Sequence, residues 1–163
     1  MIKDIFHGNR TESNDKAVEI ITQSIDKLLK VQDHVVLAIP GGRSVLGIFE
    51  KLAEQNICWI KVHIFMVDER MVPIENDKSN FKLAKYSFIQ ELVNKRQLPE
   101  QNIHPFILNK GIDSYENELK DLGCDYDIIL LSTGEDGHVG ALYPNHSIQD
   151  DSEYYLTMDD SPK

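Results

Sequence analysis

Three short apolar runs constrain the fold of this chain more than any other feature: residues 34–39 (HVVLAI), 62–67 (VHIFMV) and 127–131 (DIILL). Each is nearly continuous rather than alternating, and each is rich in β-branched side chains. Runs of that kind suit strands covered on both faces, as strands of a parallel sheet are. Between them the hydrophobic period becomes helical. Residues 14–29 place Val18, Ile21, Ile25 and Leu28 on one side, with Ser13 or Asn14 as the expected cap. Residues 44–55 do the same with Val45, Ile48, Phe49 and Leu52, and residues 79–94 with Phe81, Ala84, Phe88 and Leu92. A further helix is expected over 114–122, and short strands over 103–106 and 154–158. Strands alternating with helices predict an α/β domain built on a largely parallel sheet.

Composition narrows the class of partner. The 163 residues read as one domain, without repeat, low-complexity tract or linker. A formal net charge of −10 argues against nucleic acid and against an anionic membrane surface, because the average field repels both. An anionic ligand would therefore have to be gripped by a local set of donors. No apolar run approaches the roughly 18 residues of a spanning helix, and the first ten residues lack the apolar stretch of a signal peptide. Cys58 and Cys124 form no CxxC pair and no disulfide framework, which fits a reducing compartment, so a cytoplasmic location is expected. No spacing of the HExxH or CxxC kind is present, so no metal site is expected.

In parallel sheets ligands sit beyond the carboxyl ends of the strands. The residues that follow each strong run are then the informative ones. After the first come Gly41, Gly42, Arg43 and Ser44. Paired glycines let backbone approach a ligand, and a following helix N-terminus suits phosphate; the plainer reading is a tight strand-to-helix turn with Ser44 as cap. After the second come Asp68, Glu69 and Arg70. Arg70 has the fork for a phosphate or carboxylate, with a neighbouring acid to hold it; the plainer reading is a surface ion-pair cluster. Ser79 and Asn80, at the start of the next helix, are adequately explained as caps. After the third run come Gly134, Glu135, Asp136, Gly137 and His138. Histidine is the natural general base near neutral pH, and a carboxylate two residues away can fix its tautomer. Gly134, Gly137 and Gly140 leave the loop free to present N–H groups to an oxyanion; the plainer reading is a glycine-rich turn with a solvated histidine. His146 reads as a loop residue and His63 as a core or face histidine. Only four arginines occur in the chain, and two of them, Arg43 and Arg70, fall in these turns.

Together the turns resemble the 6-phosphogluconolactonase family, which belongs to a wider group containing the glucosamine-6-phosphate deaminases. Where that family has a Ser-Gly-Gly-Ser-Thr-Pro-like loop, residues 39–45 read IPGGRSV. Its Asp-Glu-Arg-x-Val-Pro motif is residues 68–73 (DERMVP), with Ser-Asn at Ser79 and Asn80. Its Gly-x-Gly-x-Asp-Gly-His-x-Ala-Ser-Leu-Phe-Pro motif is matched by residues 132–144 (STGEDGHVGALYP). Deaminases typically carry Asp-Glu-Tyr at the second motif, so Arg70 and the Ser-Asn pair favour the lactonase branch. The sequence departs from the pattern at Arg43, Ser132, Gly140 and Ala141. The family's domain also continues past the Ser-Pro-Lys at residues 161–163, so the single domain over 1–163 is expected to be cut short at its C-terminus, with a sheet edge exposed.

The resemblance implies a three-layer α/β/α domain of the phosphosugar isomerase-like kind. It implies hydrolysis of 6-phospho-D-glucono-1,5-lactone to 6-phosphogluconate in the oxidative pentose phosphate pathway, with no cofactor. His138 would be the base and Asp136 its orienting acid, with Gly134 and Gly137 at the oxyanion. Gly41, Gly42, Arg43, Ser44, Arg70 and Lys163 would hold the phosphosugar. The alternatives are a deaminase or isomerase of the same superfamily, and a sugar-phosphate-binding module without catalysis. The expected partner is a small phosphosugar lactone; no oligomeric state follows from the sequence.

Overall fold

The computed structural model describes residues 4–145. The strand expected over 154–158, His146 and Lys163 lie outside the described residues. Among the described residues four parallel strands form one sheet in the order β3–β2–β1–β4: β1 (Val35–Ile39), β2 (Val62–Met66), β3 (Ile103–His104) and β4 (Ile128–Ile129). The three strong apolar runs are thus the three adjacent strands β2, β1 and β4. All five residues of β1 are buried, as a central strand covered on both faces requires.

Helices α1 (Arg10–Leu28), α2 (Leu46–Ala53), α3 (Asn80–Ala84) and α4 (Gln90–Asn94) cover one face. A π-helical turn, Lys85–Ile89, joins α3 to α4. Val35, Leu37, Ile39, Val62, Ile64 and Met66 point into this layer, where Phe49 and Phe88 stack at 4.8 Å. The inward side chains expected over 79–94, Phe81, Ala84, Phe88 and Leu92, are all buried. Helix α5 (Gly111–Lys120) covers the other face through Tyr115 and Leu119 on Val36 and Phe65. This is the three-layer arrangement. On the α5 side its cover does not reach β4 among the described residues: Ile129 is 50 % exposed and Leu131 49 %.

Three helix starts differ from expectation: α5 begins at Gly111, three residues before the expected 114, and α1 and α2 differ for local reasons. Helix α1 begins four residues earlier than the periodicity predicts. Asn9 Oδ1 accepts from the Glu12 amide at 3.0 Å, and Glu12 Oε2 accepts from the Asn9 amide at 2.9 Å, a reciprocal cap that satisfies two orphan donors. Helix α2 begins at Leu46, with Val45 rather than Ser44 at the cap position and no side-chain cap. Ser44 is instead exposed within the turn.

Side chains complete the ladder where strands end. Tyr115 from α5 accepts the Met66 amide at 2.7 Å and donates to the Met66 carbonyl at 3.3 Å, next to the short β3. This fixes the last residue of β2, and with it the origin of the following turn. Asp127 does the same work at the other side of β1, accepting the Val36 amide at 2.7 Å.

Candidate active site

The strands are parallel, so the turns after β1, β2 and β4 leave the sheet at one edge. Their geometry ties them to one another. In the first turn Gly41 is buried, and a Cβ added there would fall 1.9 Å from Asn80 Oδ1, at the start of α3. Gly42 has φ +89° with open space around it, so here the backbone conformation, not the room, asks for glycine. Arg43 and Ser44 are exposed, and the Arg43 carbonyl accepts from Arg10 Nη2 at 3.1 Å, which anchors this turn to α1.

The second turn continues the ladder by one bond, from the Val67 amide to the Ile39 carbonyl at 2.8 Å. Asp68, Glu69 and Arg70 follow, all half-buried. Burial pushes the Asp68 carboxyl up from its ordinary value; the charges of Arg70 and, more weakly, His138 act in the opposite direction. That coupling brings the second and third turns into one electrostatic environment. Gly140 lies against the same seam, where an added Cβ would be 3.8 Å from Val67 Cγ1.

The third turn is a tight antiparallel excursion, with bridges between Thr133 and Val139 and between Val139 and Leu142. Within it His138 Nδ1 meets Asp136 Oδ1. The His138 side chain is 15 % exposed, and its ring lies 5.2 Å from that of Tyr143. Gly134 makes this arrangement possible: a Cβ there would sit 2.0 Å from His138 Cε1. The Gly134 amide donates to the His138 carbonyl at 2.9 Å, and the Gly137 amide to the Gly134 carbonyl at 3.0 Å. The expectation that these two amides serve an oxyanion does not fit this loop, because both already have acceptors inside it.

The turns therefore bring Gly41, Gly42, Arg43, Ser44, Arg70, Asp136 and His138 to one edge of the sheet. Asp68, Glu69 and Asn80 were not expected to matter beyond charge and capping. Glu69 binds four donors and Asn80 abuts Gly41. The available signal was an acid at a strand end with a Ser-Asn pair ten residues on. His63, read as a core or face histidine, lies half-buried within β2 and away from these turns. Among the described residues no group of three or more His, Cys, Asp or Glu side chains is arranged to hold a metal ion, and no helix is long and apolar enough to cross a membrane.

Comparison with known proteins gives a consistent picture. The profile of the family described as glucosamine-6-phosphate isomerases/6-phosphogluconolactonase matches residues 8–163. A 6-phosphogluconolactonase of Thermotoga maritima is 34 % identical over 133 residues, covering 79 % of this chain and 59 % of that protein. One from Borreliella burgdorferi is 29 % identical over 165 residues, covering 98 % and 68 %. The crystal structure of 6-phosphogluconolactonase from Thermotoga maritima superimposes with a TM-score of 0.71 at 32 % identity, covering 82 % of this chain and 63 % of that one. The chain thus spans about 59 % to 68 % of the length of these two curated relatives.

Proposed function

This chain belongs to the glucosamine-6-phosphate isomerase/6-phosphogluconolactonase family, and from that premise we propose that it hydrolyses 6-phospho-D-glucono-1,5-lactone to 6-phosphogluconate. The observation that carries the reading is the His138–Asp136 pair, set in the turn that shares its surroundings with Asp68 and Arg70. A carboxylate on Nδ1 favours the tautomer protonated there and leaves the basic lone pair on Nε2.

In the proposed reaction water attacks the lactone carbonyl carbon and gives its proton to His138 Nε2. Charge develops on the carbonyl oxygen. As the tetrahedral species collapses, the bond from that carbon to the ring oxygen breaks. The ring oxygen then leaves as a hydroxyl, taking the proton from the imidazolium, and the product is the open-chain acid. The Asp136 carboxylate stabilises the imidazolium in between. Lactones are electrophilic enough for this without a Lewis acid.

The phosphate has a place at the first turn, where Gly41, Gly42, Arg43 and Ser44 precede α2 and the helix N-terminus adds positive potential. Arg70 supplies a second fork, to phosphate or to the developing oxyanion, and Lys163 is a further phosphate donor in this reading. With a net charge of −10, local donors of this kind are what overcome the average field.

The test is the initial rate on freshly prepared lactone, corrected for spontaneous hydrolysis. Saturable acceleration is expected. Ammonia release from glucosamine 6-phosphate would move the chain to the deaminase branch of its family. Binding of 6-phosphogluconate without acceleration would make it a binding module.

A further inference from the structure

The second turn is held by a side chain that the proposed reaction does not use. Glu69 stands between Asp68 and Arg70, yet its carboxylate is filled by protein donors. Oε1 accepts from the Arg70 amide at 2.6 Å and the Asn80 amide at 2.7 Å; Oε2 accepts from the Phe81 amide at 2.8 Å and the Ser79 hydroxyl at 3.1 Å. Ser79 meanwhile caps α3 by accepting the Lys82 amide at 3.1 Å. Asn80, only 7 % exposed, reaches the other way. Its Nδ2 donates to the Asp68 carbonyl at 2.9 Å, and its Oδ1 fills the place that a side chain at residue 41 would take.

A carboxylate with four donors is far stronger than capping alone requires, since charge-assisted hydrogen bonds outweigh neutral ones about twofold. The arrangement links three separate stretches of chain: the first turn through Gly41, the second through Asp68 and Arg70, and the start of α3. We infer that Glu69 and Asn80 are positioning residues that set the spacing between the Gly41–Ser44 turn and the Asp68–Arg70 turn, and so the distance between the two anion-binding forks, Arg43 and Arg70. Neither residue touches the ligand. The inference rests on the proposed reading of this edge as a phosphosugar site.

The test uses the full chain and 6-phosphogluconate as the probe. Gly41→Ala drives a methyl group into Asn80 and should weaken binding about tenfold or more, an effect of the size that misplacement by about an ångström produces. Asn80→Ala should weaken it by about threefold. Asn80→Gly also removes the Cβ that would lie 2.6 Å from the new methyl group; Gly41→Ala combined with it should bind about as well as Asn80→Gly alone, so that the losses fail to multiply. Losses that multiply overturn the inference. So does parent-like binding by Glu69→Gln, whose amide group faces amide donors.

A second readout needs no ligand. In Asn80→Ala the backbone amides of Arg70 and Phe81, both held by the Glu69 carboxylate, should exchange faster with solvent while the melting temperature of the chain stays within a few degrees. Unchanged exchange at these amides overturns the inference even if lactone is hydrolysed. If the parent fails to bind 6-phosphogluconate but the amides are released, the functional reading falls and the positioning role stands.

Discussion

Histidines lie on two parts of this sheet, and their surroundings differ in kind. On the α5 face, His63 Nδ1 and His104 Nε2 are 3.0 Å apart, His104 Nδ1 meets Glu118 Oε2 at 2.8 Å, and His34 packs edge-on to His63 with centroids 5.4 Å apart. His104 also stacks on Phe65 at 4.2 Å. Both ring nitrogens of His104 thus face partners within the protein. When neutral His104 donates from Nδ1 to Glu118, its Nε2 accepts from His63 Nδ1; the chain of bonds fails when both rings are protonated, because two N–H groups then face each other. At the carboxyl ends of the strands, His138 also has a carboxylate partner, but it stands in a glycine-built turn beside the charges of Asp68 and Arg70. A carboxylate beside an imidazole is therefore no mark of catalysis by itself. Place relative to the strand ends, and the company of other charged groups, separate the two.

The sharpest way to break this contrast is to remove one histidine from each part. His138→Ala should lower lactone turnover by about 10²–10⁴-fold, the usual worth of a general base, with 6-phosphogluconate binding largely kept. His104→Ala should cost stability but leave turnover of the folded fraction near that of the parent. Initial rates at a temperature where both variants are folded decide the matter. A His138→Ala variant within threefold of the parent would return His138 to the status of His104.

A smaller effect is expected from Gly134→Ala. The added methyl group would collide with the His138 ring and the Asp136 carboxylate while removing no titratable group. Displacing the ring by about an ångström should lower turnover by about 10²-fold. Turnover equal to the parent's would show that the ring position is not what the loop provides. Arg70→Lys comes next: it keeps the charge but loses the planar fork, and calorimetry with 6-phosphogluconate should show binding weakened by about tenfold. Unchanged affinity together with unchanged turnover would leave Arg70 as a surface ion-pair residue.

One side of this contrast, the turns at the strand ends, is legible in the sequence. The continuous apolar runs fixed which segments are strands, because burial on both faces leaves no polar alternation. The site followed from one topological fact, that parallel strands deliver their following turns to one edge. What could not be read were contacts across the chain. Nothing local marks Asn80 as the neighbour of Gly41, or Tyr115 as the partner of Met66, since those pairs lie 39 and 49 residues apart and meet only after the sheet forms. The start of α1 does have a local signal: the Asn-x-x-Glu pattern at residues 9–12 is a capping box, but the hydrophobic periodicity begins later and points to a later start. His63, His104 and Glu118 come from three elements, so their cluster has no sequence signature.

The pH dependence of stability should show the smallest effect and separate the two parts most cleanly. Burial, then the charges of His104 and His34, lower His63 from 6.5 to about 4. His104 is also lowered, chiefly by burial, with Glu118 opposing. Between about pH 6.5 and 4 the unfolded chain therefore binds more protons than the folded one at His63, and His104 acts in the same direction. The His63 contribution to stability is complete above pH 6.5 and is lost as the pH falls toward 4. Asp68 has the opposite sign, because its raised carboxyl gains protons on folding and favours the folded state at lower pH. The parent profile mixes the two, so the informative quantity is the difference between the parent and His63→Leu. Because His63 is partly solvated, the difference is expected to be modest: the parent's melting temperature should fall by about 3 °C more than the variant's between pH 7 and pH 5. Parallel profiles for the parent and His63→Leu would show that the cluster takes up protons as readily folded as unfolded, and the distinction between the two parts of the sheet would then rest on position alone.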